Sequence, residues 1–185
     1  DIDRKWINVL VNMTRDRILK KYKQETAKQF AKGLHDSGVK NPEFLAITEF
    51  QAVDRTLEKY VEKLSKDVKG KVYSTIDKMV REDATKSQIA KEIKTEIDSI
   101  KFRADFLDRT EKSRAYNYGK LIGLKEQGYL EAEVIKNDDC DICKDSPSKV
   151  DLQNFSIDTI PPYHPNSTAT IGRGVEVLQN GDIQL

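Results

Sequence analysis

The sequence predicts an α+β fold, an elongated body of long helices with a small β-rich appendage at its C-terminal end. Apolar residues recur at spacings of three and four along most of the first 124 residues, with Pro42 the only proline among them. At Tyr129–Lys136 the pattern switches to an alternation of apolar and charged residues, the period of a half-buried strand. The other prolines, Pro147, Pro161, Pro162 and Pro165, all lie beyond that switch. A charged fraction of 34%, a hydrophobic fraction of 37% and a mean hydropathy of -0.66 fit long helices with much solvated surface better than a thick globule.

The first helix runs from about Asp3 to Leu34, with Trp6, Ile7, Leu10, Val11, Ile18 and Tyr22 on one broad face. Gly33 and then Asp36-Ser37-Gly38 supply its stop, because glycine tolerates the left-handed backbone that ends helices. From Pro42 a second stripe continues through Phe50, Val53, Leu57, Val61, Leu64, Val68, Val72 and Ile76 to Met79 or Val80. Such a helix is on the order of 60 Å long. Its stripe needs cover from the other helices or, as a coiled coil, from a second copy. Gly70 is its weak point.

Thr85 or Ser87 caps a third helix carrying Ile89, Ile93 and Ile97. A fourth runs from about Lys101 to Gln127 and stops at Gly128. After the Tyr129–Lys136 strand come two β-branched runs, Thr168–Ile171 and Gly174–Leu178, and a hairpin signal at Asn180-Gly181. The expected division is a helical body over residues 1–100 and a C-terminal segment over residues 101–185.

Net charge is only +1, yet residues 138–185 hold three Lys or Arg against eight Asp or Glu, a balance of −5 that leaves +6 for the body. A mildly basic body assists contact with phosphate without requiring it. Lys20, Lys21 and Lys23, with Lys63, Lys66, Lys69 and Lys71, are the candidate DNA contacts, although a solvated helix face is the simpler account of them. No apolar run approaches the roughly 20 residues that span a bilayer, and no signal-peptide hydrophobic region is seen, so a soluble chain is expected. The chain opens at Asp1 without an initiator Met, as a fragment of a longer protein does.

Cys140 and Cys143 are the only cysteines, spaced as Cys-x-x-Cys. On a turn after a strand this is the spacing of a zinc knuckle, and His164, in a turn between prolines, is the third candidate ligand. The fourth is open among Asp138, Asp139, Asp141, Asp145, water and another chain. The same pair is also open to reading as two reduced, inert thiols or as a redox pair. The acidic flanks Asp138-Asp139 and Asp141 are expected to raise the thiol pKa and so weaken a redox nucleophile. His35, beside Asp36 at a helix C-terminus, is explained by the helix dipole.

In the fourth helix Asn117 and Gly119 are poor helix formers. Gly119 is expected to admit a close backbone approach and Asn117 to make a specific hydrogen bond there, with Arg109 and Glu111 in ion pairs. No catalytic residues are expected, since no nucleophile, phosphate loop or paired histidine accompanies Arg109-Thr110-Glu111.

Taken in order, Ser87-Gln88-Ile89-Ala90-Lys91-Glu92-Ile93, Arg103 through Arg109-Thr110-Glu111, Ala115-Tyr116-Asn117-Tyr118-Gly119, Gly128, Asp138-Asp139-Cys140-Asp141-Ile142-Cys143 and Pro161-Pro162-Tyr163-His164-Pro165-Asn166 resemble the phage Mu F-like minor head protein family. The likeness covers roughly residues 85–172. It implies a non-enzymatic minor capsid protein of tailed-phage head morphogenesis, in the virion at the portal vertex or inside the head and in the host cytoplasm during assembly. Implied partners are the portal protein, other capsid or scaffold proteins and, in some members, double-stranded DNA. The family pattern continues with Cys-Arg-Cys, whereas this chain has Ser167-Thr168-Ala169, so the zinc site the resemblance implies is incomplete. F-like segments also occur joined to toxin or enzymatic modules, which leaves that alternative beside a zinc-knuckle nucleic-acid binder.

Overall fold

A computed structural model describes residues 4–40, 42–136 and 140–175. It contains three long helices, α1 (Arg4–Asp36), α2 (Pro42–Arg81) and α3 (Lys86–Glu126), then β1 (Glu131–Ile135), the short α4 (Asp141–Asp145), β2 (Lys149–Asp151) and β3 (Thr170–Val175). The fold is α+β, and no described helix is long and apolar enough to cross a membrane.

Local chemistry sets the helix ends. Pro42 opens α2 at the first helical position, where its missing N–H costs nothing. Asp83 follows α2 with φ 54; its N–H donates to Val80 O and that of Ala84 to Met79 O, the paired bonds of a Schellman cap. Thr85 starts α3 through a capping box: its N–H reaches Gln88 Oε1 at 2.8 Å while Gln88 N–H donates to Thr85 Oγ1. Gly128, with φ 88, closes α3 by the same Schellman geometry, with Tyr129 N–H on Leu124 O.

Two expectations are corrected. The third and fourth helices are one, α3, of 41 residues, because no glycine or proline interrupts the segment from Ile97 to Phe102. Gly33 does not end α1: it is buried inside the helix, and the chain turns at Gly38, φ 91, with Ser37 Oγ donating to Leu34 O.

Residues group into two compact units, and the expected boundary near residue 100 falls inside α3. One unit takes the chain up to Tyr22 together with Leu57–Leu107. Its core joins Ile7 and Val11 of α1, Leu57, Val61, Val68 and Val72 of α2, and Ile89, Ile93 and Ile97 of α3. Tyr22 OH donates to Asp105 at 2.9 Å, and Tyr73 OH to Asn8 at 2.8 Å. The α2 stripe is thus buried within the chain, as a helical bundle requires.

The other unit takes Lys23–Thr56 and the residues from Asp108 onward. Its sheet is antiparallel in the order β2-β1-β3, with Ala132 and Val134 of β1 turned inward onto Val150, Leu152, Ile160 and Ile171. β2 was not foreseen. The runs expected as separate strands at Thr168–Ile171 and Gly174–Leu178 contribute to a single strand, β3, bulged opposite Ala132–Val134; residues 176–185, with the Asn180-Gly181 hairpin signal, lie outside the described residues.

Within this unit α1 and α3 approach backbone to backbone. A Cβ on Gly119 would land on the Phe30 carbonyl, and one on Gly33 on the Tyr116 carbonyl, so each helix places a glycine at the point of closest approach to the other. Phe30 also stacks on Tyr118, with ring centroids 6.0 Å apart. Gly70, by contrast, has no neighbour within 4 Å of an added Cβ. Gly119→Ala is therefore expected to lower unfolding free energy by about 2 kcal/mol or more as the helices are forced apart. Gly70→Ala should raise it by about 0.5–1 kcal/mol through helix propensity. Urea unfolding of both variants checks the contrast.

Candidate metal centre

Three polar side chains of α3 hold the segment that carries His164. Arg114, Asn117 and Lys120 follow one another at intervals of three and so lie along one side of the helix. Arg114 Nη1 donates to Ile157 O at 3.2 Å, and Lys120 Nζ to Ile171 O at 2.9 Å. Between them the fully buried Asn117 donates from Nδ2 to Pro161 O at 3.1 Å. Its Oδ1 accepts from Thr170 Oγ1 at 2.8 Å and from Ile171 N–H at 3.1 Å. One amide thus ties both ends of the 161–170 segment to α3.

Inside that segment His164-Pro165-Asn166-Ser167 forms a tight turn, closed by Ser167 N–H on His164 O at 3.0 Å. Asn166 has φ 63, and proline followed by asparagine suits a type II turn. The facing element is the knuckle. Cys140 caps α4, its Sγ accepting from Cys143 N–H at 3.4 Å, and Lys144 N–H donates to Cys140 O at 2.9 Å. Lys136, just past β1, donates to the carbonyls of Lys144 and Ser146 and fixes the knuckle from below.

His164 Nε2 lies 3.0 Å from Cys140 Sγ and 3.3 Å from Cys143 Sγ, and the three donor atoms fall within 4.8 Å of one another. Nδ1 is 2.8 Å from Pro165 O, so it carries the proton and leaves the Nε2 lone pair facing the sulfurs, the arrangement that orients metal-ligating histidines. Zn–S bonds of about 2.3 Å and Zn–N bonds of about 2.0–2.1 Å in a tetrahedron put sulfur and nitrogen about 3.5 Å apart. The donor set fits zinc, with small outward movements.

Neither Asp141 nor Asp145 takes the fourth position. Among the described residues only Cys140, Cys143 and His164 cluster; Asp141 is fully exposed and 3.9 Å from Lys144, and Asp145 is exposed, while Asp138 and Asp139 lie outside the described residues. Ser167 comes nearest, its Oγ 3.4 Å from Cys143 Sγ and accepting from Ala169 N–H at 3.2 Å. A neutral hydroxyl is a weaker zinc ligand than a thiolate, which leaves three strong donors among the described residues.

The Cys140 thiol pKa is lowered, first by the Cys143 N–H and the Cys143 side chain and then by His164, against the rise expected from acidic neighbours. The exposed Asp141 carboxylate is screened by water, whereas the N–H is directly on the sulfur. His164 is raised, chiefly by the Pro165 carbonyl and then by Cys140.

In the Arg109-Thr110-Glu111 stretch, Glu111 is buried and its ion-pair partner is Arg114, at 3.4 Å, rather than Arg109. Desolvation raises the Glu111 pKa, and Arg114 only partly offsets it. Of the candidate DNA contacts, Lys20, Lys21, Lys63, Lys66 and Lys71 are exposed and Lys69 is half-buried, but Lys66 lies 3.6 Å from Glu62. Lys23 is held by Asp54 at 2.8 Å. His35 is exposed, 3.4 Å from Asp36. Arg114, Lys120 and Lys136 were missed; the three-residue spacing around Asn117 was the available signal for the first two.

Fold and site together define a helical α+β protein with a Cys2His cluster. Comparison with protein-family models, with curated proteins and with solved structures finds no match.

Asn117→Ala should cost about 2–4 kcal/mol, since it strands buried backbone groups at both ends of the segment; thermal unfolding measures it. For Glu111 the raised folded pKa means that its stabilising contribution is complete below the unfolded value of about 4.3 and is lost as pH rises through the folded value. Glu111→Gln should therefore gain on the parent as pH increases from 4 to 7 in urea titrations, whereas a pH-independent difference would contradict the burial argument.

Proposed function

We propose that this chain is a non-enzymatic minor capsid protein of a tailed phage or prophage, acting in head assembly at the portal, with a zinc ion held by Cys140, Cys143 and His164 as a structural staple. The observation that carries the reading is convergence: Asn117 and the Cys-x-x-Cys, two separate pieces of the resemblance, both meet the His164 segment. The polar groups of the motif are engaged internally, Glu111 with Arg114, Arg114 with Ile157 O and Asn117 with the segment's backbone, which supports a structural role over catalysis. Zinc would supply cross-linking between knuckle and segment, a gain for a small β-rich module with few apolar residues. His164 on both sulfurs favours a metal site over a redox pair, whose attacking thiol needs open access.

Co-expression with portal and major capsid proteins, followed by gradient sedimentation of the heads, tests the assembly role. The chain should travel with portal-containing particles in few copies, and a zinc-loaded chain that stays at the top of the gradient would overturn the reading. Duplex DNA binding that steepens at low salt and weakens on Lys63→Gln with Lys71→Gln would add DNA to its contacts. On the metal side, one zinc per chain is expected by elemental analysis, lost in His164→Ala and tightened in Ser167→Cys.

A further inference from the structure

We infer that the unit built from the first part of α1 with Leu57–Leu107 carries a docking groove for an amphipathic helix with acidic flanks, supplied by a partner protein. This goes beyond the metal-site reading and uses none of its residues. The groove encloses about 530 Å³ between α1 and α3. Leu10, Ile89, Ile93 and Ile97 line it, and Trp6 forms a wall with 58% of its surface exposed. Val9 and Met13, on the same stretch of α1, are also at least half exposed. An exposed tryptophan beside an apolar groove is unusual in a monomer and marks an interaction surface.

The dimensions suit a helix. Ile89, Ile93 and Ile97 repeat every four residues over two turns of α3, about 12 Å, the distance across which a docked helix presents anchors at i, i+4 and i+7. Charge selects the flanks. Lys86 and Lys94 are the only charged residues lining the groove, and neither has an ion-pair partner among the described residues. An adjoining cavity of about 690 Å³ shares Lys86 and Ile89 and adds Arg4 and Arg81. Its one carboxylate, Asp77, is already bonded to Arg4 at 2.6 Å, while Arg81 Nε donates to the Asp77 carbonyl. An apolar floor rimmed by cations complements a helix carrying Asp or Glu beside its leucines. A second copy fits less well, because within residues 4–17 the exposed stripe of α1 offers one carboxylate, Asp16, which is already paired with Arg15 and so brings no free acid to Lys86 and Lys94.

Trp6 is the only tryptophan in the chain, so its emission reports occupancy directly. The full chain is titrated with two synthetic amphipathic helices that share one leucine face, one flanked by Glu and the other by Lys. The acidic peptide should give a saturable blue shift that weakens with salt. Lys86→Glu with Lys94→Glu, shown by circular dichroism to remain helical, should weaken that binding by about tenfold or more and admit the basic peptide. Equal response to both peptides, or none to either, overturns the inference. So does a blue shift that follows protein concentration alone, the mark of a second copy, or one produced only by phosphatidylserine vesicles or duplex DNA.

Discussion

The buried amide of Asn117 is the interaction on which the site depends. An isolated helix has no use for asparagine in its interior, where it is a poor former and competes with the backbone. Here it satisfies Pro161 O with its donor side and Thr170 and Ile171 with its acceptor side, so the two ends of the His164 segment are fixed by one residue. Both ends of the segment are buried, at Pro161 and at Ala169 next to Ile171, where backbone groups cannot turn to water and the Asn117 amide takes its place. Arg114 and Lys120 extend the same logic one step in each direction along α3.

Asn117 can do this only because α3 is itself held against α1. Gly33 and Gly119 remove the side chains that would keep the two backbones apart, and Phe30, Tyr118 and Phe155 fill the space around the contact. The knuckle, which follows β1 in the chain, is anchored by Lys136 and by the N–H to sulfur bond of Cys140. The thiols and the imidazole therefore come from two independently fixed pieces, and neither needs the other in order to be in place. A metal at their junction would add a cross-link to a prepared site, which is how a small module with a thin core gains stability.

Much of this was legible because helix and strand periods are written in the apolar residues. The start of α2, the cap at Thr85 and the alternation of β1 follow directly from Pro42, Thr85 and the Tyr129–Lys136 pattern. The expected division of α3 into two helices has no glycine, proline or cap between Ile97 and Phe102 to make it, and the helix runs through. Gly33 misled for the opposite reason: a glycine that ends a helix and one that admits a neighbouring helix look alike until the neighbour is known. β2 has three residues and one buried side chain, too little for a period to show. The juxtaposition of Cys140, Cys143 and His164 was legible from spacing and turn chemistry, but the exposure of Asp141 and Asp145 was not, because acidity along the sequence says nothing about which carboxylates face the sulfurs.

The most direct test of the account is X-ray absorption at the zinc edge on the zinc-loaded chain. The prediction is two sulfur scatterers near about 2.3 Å and light-atom scatterers near about 2.0–2.1 Å, one of them with the multiple-scattering signature of imidazole that disappears in His164→Ala. A shell of four sulfurs, shared between two chains, or a shell of light atoms alone would contradict the claim that this fold brings His164 onto the Cys140 and Cys143 thiols.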